Sequence, residues 1–275
     1  MDVNGNKVKP FLRWAGGKRW LLPLIENLLI NHPIDKYYEP FLGGGSVFFH
    51  IDFQKAFISD INPDLINTYK EIRDNLSLII KILGTFENTE ENYYQVRDNH
   101  NSEDKTYNAA RFIFLNHTSY NGLYRVNKQG YYNVPYGYKR TFNIDFENLK
   151  LVQSKLKQSV IYHRSFETIE EFINPGDTIF LDPPYTVSHN KNGFIKYNQK
   201  LFTLDDQVKL SKLVDKIIEK NAYYILTNGA HEAIKKIFLK NNSNMIVLER
   251  QSLLGGKNAK RAKIEEYLFT NLPRS

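Results

Sequence analysis

The residues best equipped for chemistry are Asp182-Pro183-Pro184-Tyr185, which follow the apolar run Thr178-Ile179-Phe180-Leu181 and a Gly176-Asp177 turn. The run is β-prone and predicts a buried strand. It must stop at Asp182, because neither proline can donate to a sheet ladder and each biases its predecessor toward extended geometry. A carboxylate is thereby held at the carboxyl end of a strand, where open α/β sheets bind ligands. Asp182, the Pro183 carbonyl and the Tyr185 ring suit a flat ring bearing an exocyclic amino group. The two oxygens accept its N–H bonds and the aromatic face stacks on the ring. The same four residues also read as a turn with a helix-capping aspartate.

Two glycine stretches lie upstream. Gly16-Gly17-Lys18 precedes a helical pattern of Leu21, Leu22, Leu24, Ile25, Leu28 and Leu29. Exposed backbone N–H groups and a lysine there would attract a carboxylate or phosphate; the alternative is a cap with a solvated lysine. Tyr37–Pro40 predicts a strand, then Phe41-Leu42-Gly43-Gly44-Gly45-Ser46, then a helix over Val47–Phe53. Three glycines let backbone approach a ligand closely, with a helix amino terminus beneath. The pattern is neither G-x-G-x-x-G nor a P-loop, which disfavours dinucleotide and nucleoside-triphosphate sites. Ala56–Ser59 predicts the next strand, ending at Asp60, whose carboxylate could accept ribose hydroxyls or cap a helix beginning near Pro63.

Between about 65 and 160 the strand alternation stops. Helices are predicted over Leu65–Gly84, Tyr107–Leu115 and Phe142–Lys157, with Glu87–Asp104 polar and partly loop. Leu123–Val126 and Tyr131–Val134, joined by Asn-Lys-Gln-Gly, predict a β-hairpin carrying Arg125 and Lys128 amid tyrosines. Such a hairpin can enter a major groove or lie on an ordinary polar surface. Val160–His163 predicts a return to the sheet, and Ile169–Ile173 a helical turn. Residues 186–202 form a polar loop of a length that suits a lid. Thr203 and Asp206 read as a capping box opening a helix that packs through Val208, Leu210, Leu213, Val214, Ile217 and Ile218. Ala222–Thr227, Met245–Leu248 and Ile264–Thr270 are further strands, the last two flanking a basic loop with Lys257, Lys260, Arg261 and Lys263.

At 275 residues the chain can bury one sizeable core with a smaller lobe. It holds no apolar run of membrane-spanning length and no signal-peptide pattern at its start, so no membrane partner is expected. Zero cysteines exclude disulfides, thiolate nucleophiles and Cys-ligated zinc, and fit a reducing interior. None of the seven histidines has metal-ligand spacing, so no metal site is expected. A net charge of +7 favours a polyanionic partner, and 18 tyrosines suit base stacking.

FLRWAGGKRWLL at 11–22, EPFLGGGSVFF at 39–49, SDIN at 59–62, NGLYRVNKQGYYNVPYG at 121–137 and DPPY at 182–185 occur in one order. In that order and across nearly the whole chain, the sequence resembles the Dam-type (D12 class) DNA adenine-N6 methyltransferases. The resemblance implies an α/β fold: a Rossmann-like S-adenosylmethionine-dependent core formed by residues 1–64 and 161–275. A mainly helical DNA-recognition domain bearing a hairpin would be inserted at 65–160. It implies methyl transfer from S-adenosylmethionine to adenine N6 in duplex DNA within GATC, with the target base flipped out. By correspondence Asp182, Pro183 and Tyr185 are catalytic, and Trp14, Lys18, Phe41, Gly43, Asp60 and Asp182 hold the cofactor. Tyr120, Leu123, Arg125 and Pro135 match residues that touch the target site. Asn121, Lys128, Lys139, Lys257, Lys260 and Arg261 complete the expected DNA contacts. A cytoplasmic, nucleoid-associated activity of bacterial type follows, with a restriction endonuclease as a possible functional partner. RNA adenine methylation, protein-glutamine methylation and non-enzymatic DNA binding are the competing readings. An Asp in place of the Asn usual in glutamine methyltransferases, the basic segments and the cofactor motifs weigh against the last two.

Overall fold

The computed structural model describes residues 8–99, 102–138, 141–186, 202–239, 243–251 and 263–273. Among these, seven strands form one mixed sheet in the order β3-β2-β1-β4-β5-β7-β6. The chain divides into two compact units, residues 1–27 with 42–164, and residues 28–41 with 165–275.

The second unit holds β1 (Lys36–Glu39), β4 (Thr178–Leu181), β5 (Tyr223–Gly229), β6 (Asn244–Gln251) and β7 (Lys263–Thr270). β4 is buried along its whole length, as a continuous apolar run flanked by parallel neighbours requires. It pairs in parallel with β1 and β5, while β7 runs antiparallel to both β5 and β6. The order 3-2-1-4-5 is that of a Rossmann-like doubly wound sheet, and the direction in which strands are added reverses between β1 and β4. Helix α6 (Leu204–Glu219) begins with the expected capping box: Thr203 accepts from the Asp206 N–H, and Asp206 accepts from the Thr203 N–H. Helix α7 (Glu232–Phe238) is a short addition that the sequence pattern does not predict.

The first unit contains α1 (Leu22–Leu29) in part, the parallel pair β2 (Lys55–Asp60) and β3 (Ser159–His163), and four further helices. These are α2 (Pro63–Leu83), α3 (Glu90–Asp98), α4 (Lys105–Thr118) and α5 (Phe146–Lys157). α2 buries Leu65, Tyr69, Ile72, Leu76, Ile79 and Leu83, the stripe of a 3.6-residue repeat, and packs on α4 and α5. Its cap is Asn62, whose side chain accepts from the N–H groups of Asp64 and Leu65, so Asp60 is not the capping residue. α5 starts four residues later than expected because Asp145 caps it, accepting from the Asn148 N–H.

Two expectations are corrected. Val47–Phe53 is a succession of turns, not a helix, closed by bonds from the N–H of Phe49 to the Gly45 carbonyl and from Ile51 to Val47. The predicted hairpin is reduced to a single antiparallel bridge, Val126 with Tyr132, flanked by an Asn133-to-Arg125 backbone bond. Asn127 closes the turn: its backbone N–H donates to the Tyr131 carbonyl at 2.8 Å, and its side chain accepts the N–H groups of Gln129 and Tyr131. The lid reading at 186–202 and the basic loop at 257–263 fall almost wholly outside the described residues.

Candidate active site

In the second unit, the carboxyl ends of β1 and β4 meet at the point where the sheet order reverses. Register aligns Leu181 with Leu226, which brings the next residues, Asp182 and Thr227, alongside each other. Thr227 Oγ1 donates to Asp182 Oδ1 at 2.7 Å. Pro183 is buried, Pro184 exposed and Tyr185 half-buried. The Tyr185 hydroxyl donates to Glu266 Oε2 at 2.6 Å, and Glu266 is only 1% exposed. Burial first, then the carboxylates of Asp182 and Glu266, push the Tyr185 phenol well above its usual range. It is therefore a neutral donor throughout physiological pH.

More buried polar groups surround this turn. Thr186 donates to the Phe202 carbonyl at 2.9 Å, Gln207 donates to Thr186 at 3.0 Å, and Asn228 donates to Gln207 at 2.9 Å. At the end of β1, Tyr37 donates to Glu39 at 2.6 Å with both residues buried. Phe41 stacks on Phe166 with ring centres 5.2 Å apart and meets Phe202 edge-on. Thr227, Glu266 and Glu39 escaped the reading from sequence. Glu266 carried a signal, since it shares the alternation phase of buried Leu268 and Thr270, an inward position where a carboxylate is out of place.

In the first unit, Trp14, Lys18, Gly43 and Asp60 converge on one loop. An added Cβ at Gly43 would lie 2.9 Å from the Trp14 indole and one at Gly44 2.8 Å from the Trp14 Cβ, so Trp14 requires two glycines beneath it. Asp60 Oδ2 accepts from the Gly43 N–H at 2.9 Å, and Oδ1 accepts from Asn62 at 2.9 Å. Tyr69 donates to the Gly43 carbonyl at 3.0 Å. The glycine loop is therefore tied down by side chains rather than by a following helix. Burial raises the Asp60 pKa, opposed by backbone N–H groups and the nearby His163. A carboxylate offers about four acceptor sites. The backbone N–H groups of Gly43, Asn62 and Ile61 occupy three of these, which leaves capacity for about one more donor. Lys18 is 4% exposed and donates to the Gly16 carbonyl at 2.9 Å, so it is not the solvated lysine of the alternative reading.

The same unit holds the residues that the resemblance assigns to DNA contact. Tyr120 donates its N–H to the Pro135 carbonyl at 2.9 Å beside the Ser119–Tyr136 bridge. This projects Tyr120, 54% exposed, next to the exposed Pro135. Asn121 follows in the left-handed region at φ 54°, exposed, with Leu123 half-buried behind it. Arg125 and Lys128 are exposed; Arg125 Nε donates to Asn133 Oδ1 at 2.7 Å and its Nη2 to the Asn133 carbonyl at 3.0 Å. Trp14 stacks on Tyr124 at 5.6 Å, joining the glycine loop to this segment. Lys139, Lys257, Lys260 and Arg261 lie outside the described residues.

Residues 14–253 match the model of the D12 class N6 adenine-specific DNA methyltransferase family. A type II methyltransferase, M.MjaIII of Methanocaldococcus jannaschii, is 38% identical, with 96% of this chain and 99% of that protein aligned. Another, M1.LlaDCHI of Lactococcus lactis subsp. cremoris, is 34% identical over 98% of each chain. The DNA adenine methylase of Escherichia coli K12 is 29% identical, with 97% of this chain and 96% of that protein aligned. A fixed carboxylate beside an aromatic ring at the sheet's switch point and this full-length similarity agree: the chain belongs to the D12 class of N6 adenine-specific DNA methyltransferases.

Proposed function

We propose that the enzyme transfers the methyl group of S-adenosylmethionine to adenine N6 in duplex DNA, within GATC. The observation that carries the reading is Asp182, held by Thr227 at the carboxyl end of β4 with Tyr185 three residues on. The adenine amine is a weak nucleophile because its lone pair is delocalised into the ring. Asp182 and the Pro183 carbonyl accept its two N–H bonds, which favours a tetrahedral nitrogen with a localised lone pair. Tyr185 receives the face of the flipped base. Its neutral hydroxyl, committed to Glu266, leaves the ring as the surface offered. Asp182 acts mainly in positioning; the N–C bond would form as the sulfonium S–C bond breaks to a neutral thioether, and the extra amine proton would then pass to solvent.

The glycine loop and Asp60 fit the cofactor. Trp14 closes over Gly43 and Gly44, Asp60 has acceptor capacity for a ribose hydroxyl, and Ile61, 75% exposed, offers apolar surface for the purine. S-adenosylmethionine, when bound, supplies an electrophilic methyl group on a sulfonium. Lys18 supports the loop through the Gly16 carbonyl, and Phe41 is assigned to the cofactor by the motif resemblance alone. Residues 65–160 form the DNA-recognition domain, with Tyr120, Asn121, Leu123, Arg125, Lys128 and Pro135 facing the target site. Tyr120 fills the space the flipped adenine leaves. The Dam-type motif order supports GATC, a cytoplasmic site of action on nucleoid DNA and, given relatives named type II methyltransferases, a companion endonuclease.

The test is labelled-methyl transfer into duplex DNA, RNA and protein side by side, with Asp182→Ala as control. Label should enter duplex DNA alone, and the variant should lose more than about 10²-fold in rate while keeping DNA affinity. Near-normal turnover by Asp182→Ala would move the catalytic centre elsewhere. Mapping methylated adenines in DNA from cells expressing this chain alone decides the sequence, and modification outside GATC refutes that assignment.

A further inference from the structure

Glu266 is a carboxylate in the interior of a sheet, a costly placement unless something needs it. It sits on β7 in register with Gly229 of β5. Cross-strand partners share a face, and a glycine there puts no side chain in the way. The Glu266 carboxylate reaches past β5 to the turn after β4 and takes the Tyr185 hydroxyl at 2.6 Å, the length of a charge-assisted O–H···O⁻ bond. Leu268 and Thr270 continue the same face without charge, so packing alone would be served as well by an apolar residue at 266.

We propose that Glu266 is a positioning residue of the methyl-transfer reaction: by accepting the Tyr185 hydroxyl it fixes the ring angle that receives the target base. The proposal rests on the reading of Asp182 and Tyr185 as the amine site. The two prolines before Tyr185 constrain backbone but leave both ring torsions open. Anchoring the far end of the ring restricts both. Thr227 fixes the Asp182 carboxylate and also meets the Tyr185 hydroxyl, so Glu266 and Thr227 hold the far end of the ring together. The raised phenol pKa is consistent with this anchor, since the hydroxyl stays protonated.

The experiment compares wild type, Tyr185→Phe, Glu266→Met, Glu266→Gln, the Tyr185→Phe/Glu266→Met double variant and Tyr185→Ala. The DNA is a duplex carrying the site mapped for the wild type, with 2-aminopurine replacing the target adenine in a parallel fluorescence arm. Tyr185→Phe and Glu266→Met should each lower kcat by about tenfold, the rate equivalent of one charge-assisted hydrogen bond. The KM for S-adenosylmethionine should stay within about twofold, while the emission of the flipped base changes. Glu266→Gln keeps an acceptor and should restore kcat to within about threefold of wild type. The double variant should be no slower than Tyr185→Phe, because that single variant already removes the bond that Glu266→Met removes. Wild-type kcat and emission in Tyr185→Phe, or losses that multiply in the double variant, overturn the proposal. Should Glu266→Met fail to fold, Tyr185→Phe and Glu266→Gln still decide it. Full activity in Tyr185→Ala removes the amine-site reading itself. An inactive Tyr185→Ala beside fully active Tyr185→Phe and Glu266→Met removes only the positioning role.

Discussion

Asp60 holds two duties at once. Its oxygens close the glycine loop through the Gly43 N–H and the start of α2 through the Asn62 N–H, and the role proposed for it adds a ribose hydroxyl to these partners. Asp60→Ala should weaken S-adenosylmethionine binding by about 1–3 kcal/mol, measured by calorimetry. Unchanged affinity would remove it from the site. Burial raises its pKa, and a protonated carboxyl is a poorer acceptor. Acidification through that raised value should weaken cofactor binding, beginning above the ordinary aspartate range. Asp60→Asn, which cannot titrate, should bind weakly but with a flat profile at this group. Calorimetry across acidic pH on both proteins checks the difference.

At the scale of elements, the segment proposed to read DNA is a short paired turn with one antiparallel bridge, Val126 with Tyr132, rather than two full strands. Tyr120 and Pro135, fifteen positions apart, are joined by a backbone bond, and position 137 accepts only glycine because a Cβ there would collide with the Ser119 carbonyl. Arg125 is exposed, but its fork is folded back onto Asn133. Reading guanine bidentately requires exchanging those bonds for O6 and N7. Arg125→Ala should cost about 1–3 kcal/mol in specific binding and relax discrimination at one guanine. A methylation map of the variant with wild-type selectivity would exclude that role. Helix α3 belongs to this scale too. Its apolar face is only Tyr93 and Val96, too few positions for a period to show, although Thr89 caps it as such residues do.

For the whole molecule, the +7 charge sets how DNA is approached rather than which sequence is chosen. Neutralising Lys260 or Arg261 should weaken specific and non-specific duplexes alike and lower the salt-dependence slope by about one unit for each phosphate left unneutralised. Binding isotherms at several salt concentrations test this, and an unchanged slope would take the loop off the DNA. Weakening confined to one sequence would instead mark base readout.

Local covalent chemistry made part of this protein legible from sequence. Two prolines stop β4 at Asp182 wherever the strand lies, three glycines demand a close approach, and Thr203 with Asp206 caps α6 within one turn. The order of motifs carried the family and, through that resemblance, the Rossmann-like sheet. Interactions fixed by strand register were beyond local reading. Tyr185 and Glu266 are 81 residues apart, and Asp182 and Thr227 are 45 apart. Those pairs exist because β5 and β7 align on β4 through burial of the sheet, a global property that no short window contains. Tertiary structure likewise buried Lys18 and let Asp60 and Tyr69 hold the glycine loop in place of the expected helix. Side-chain hydrogen bonds from distant elements satisfied that backbone, so no helix was needed beneath it.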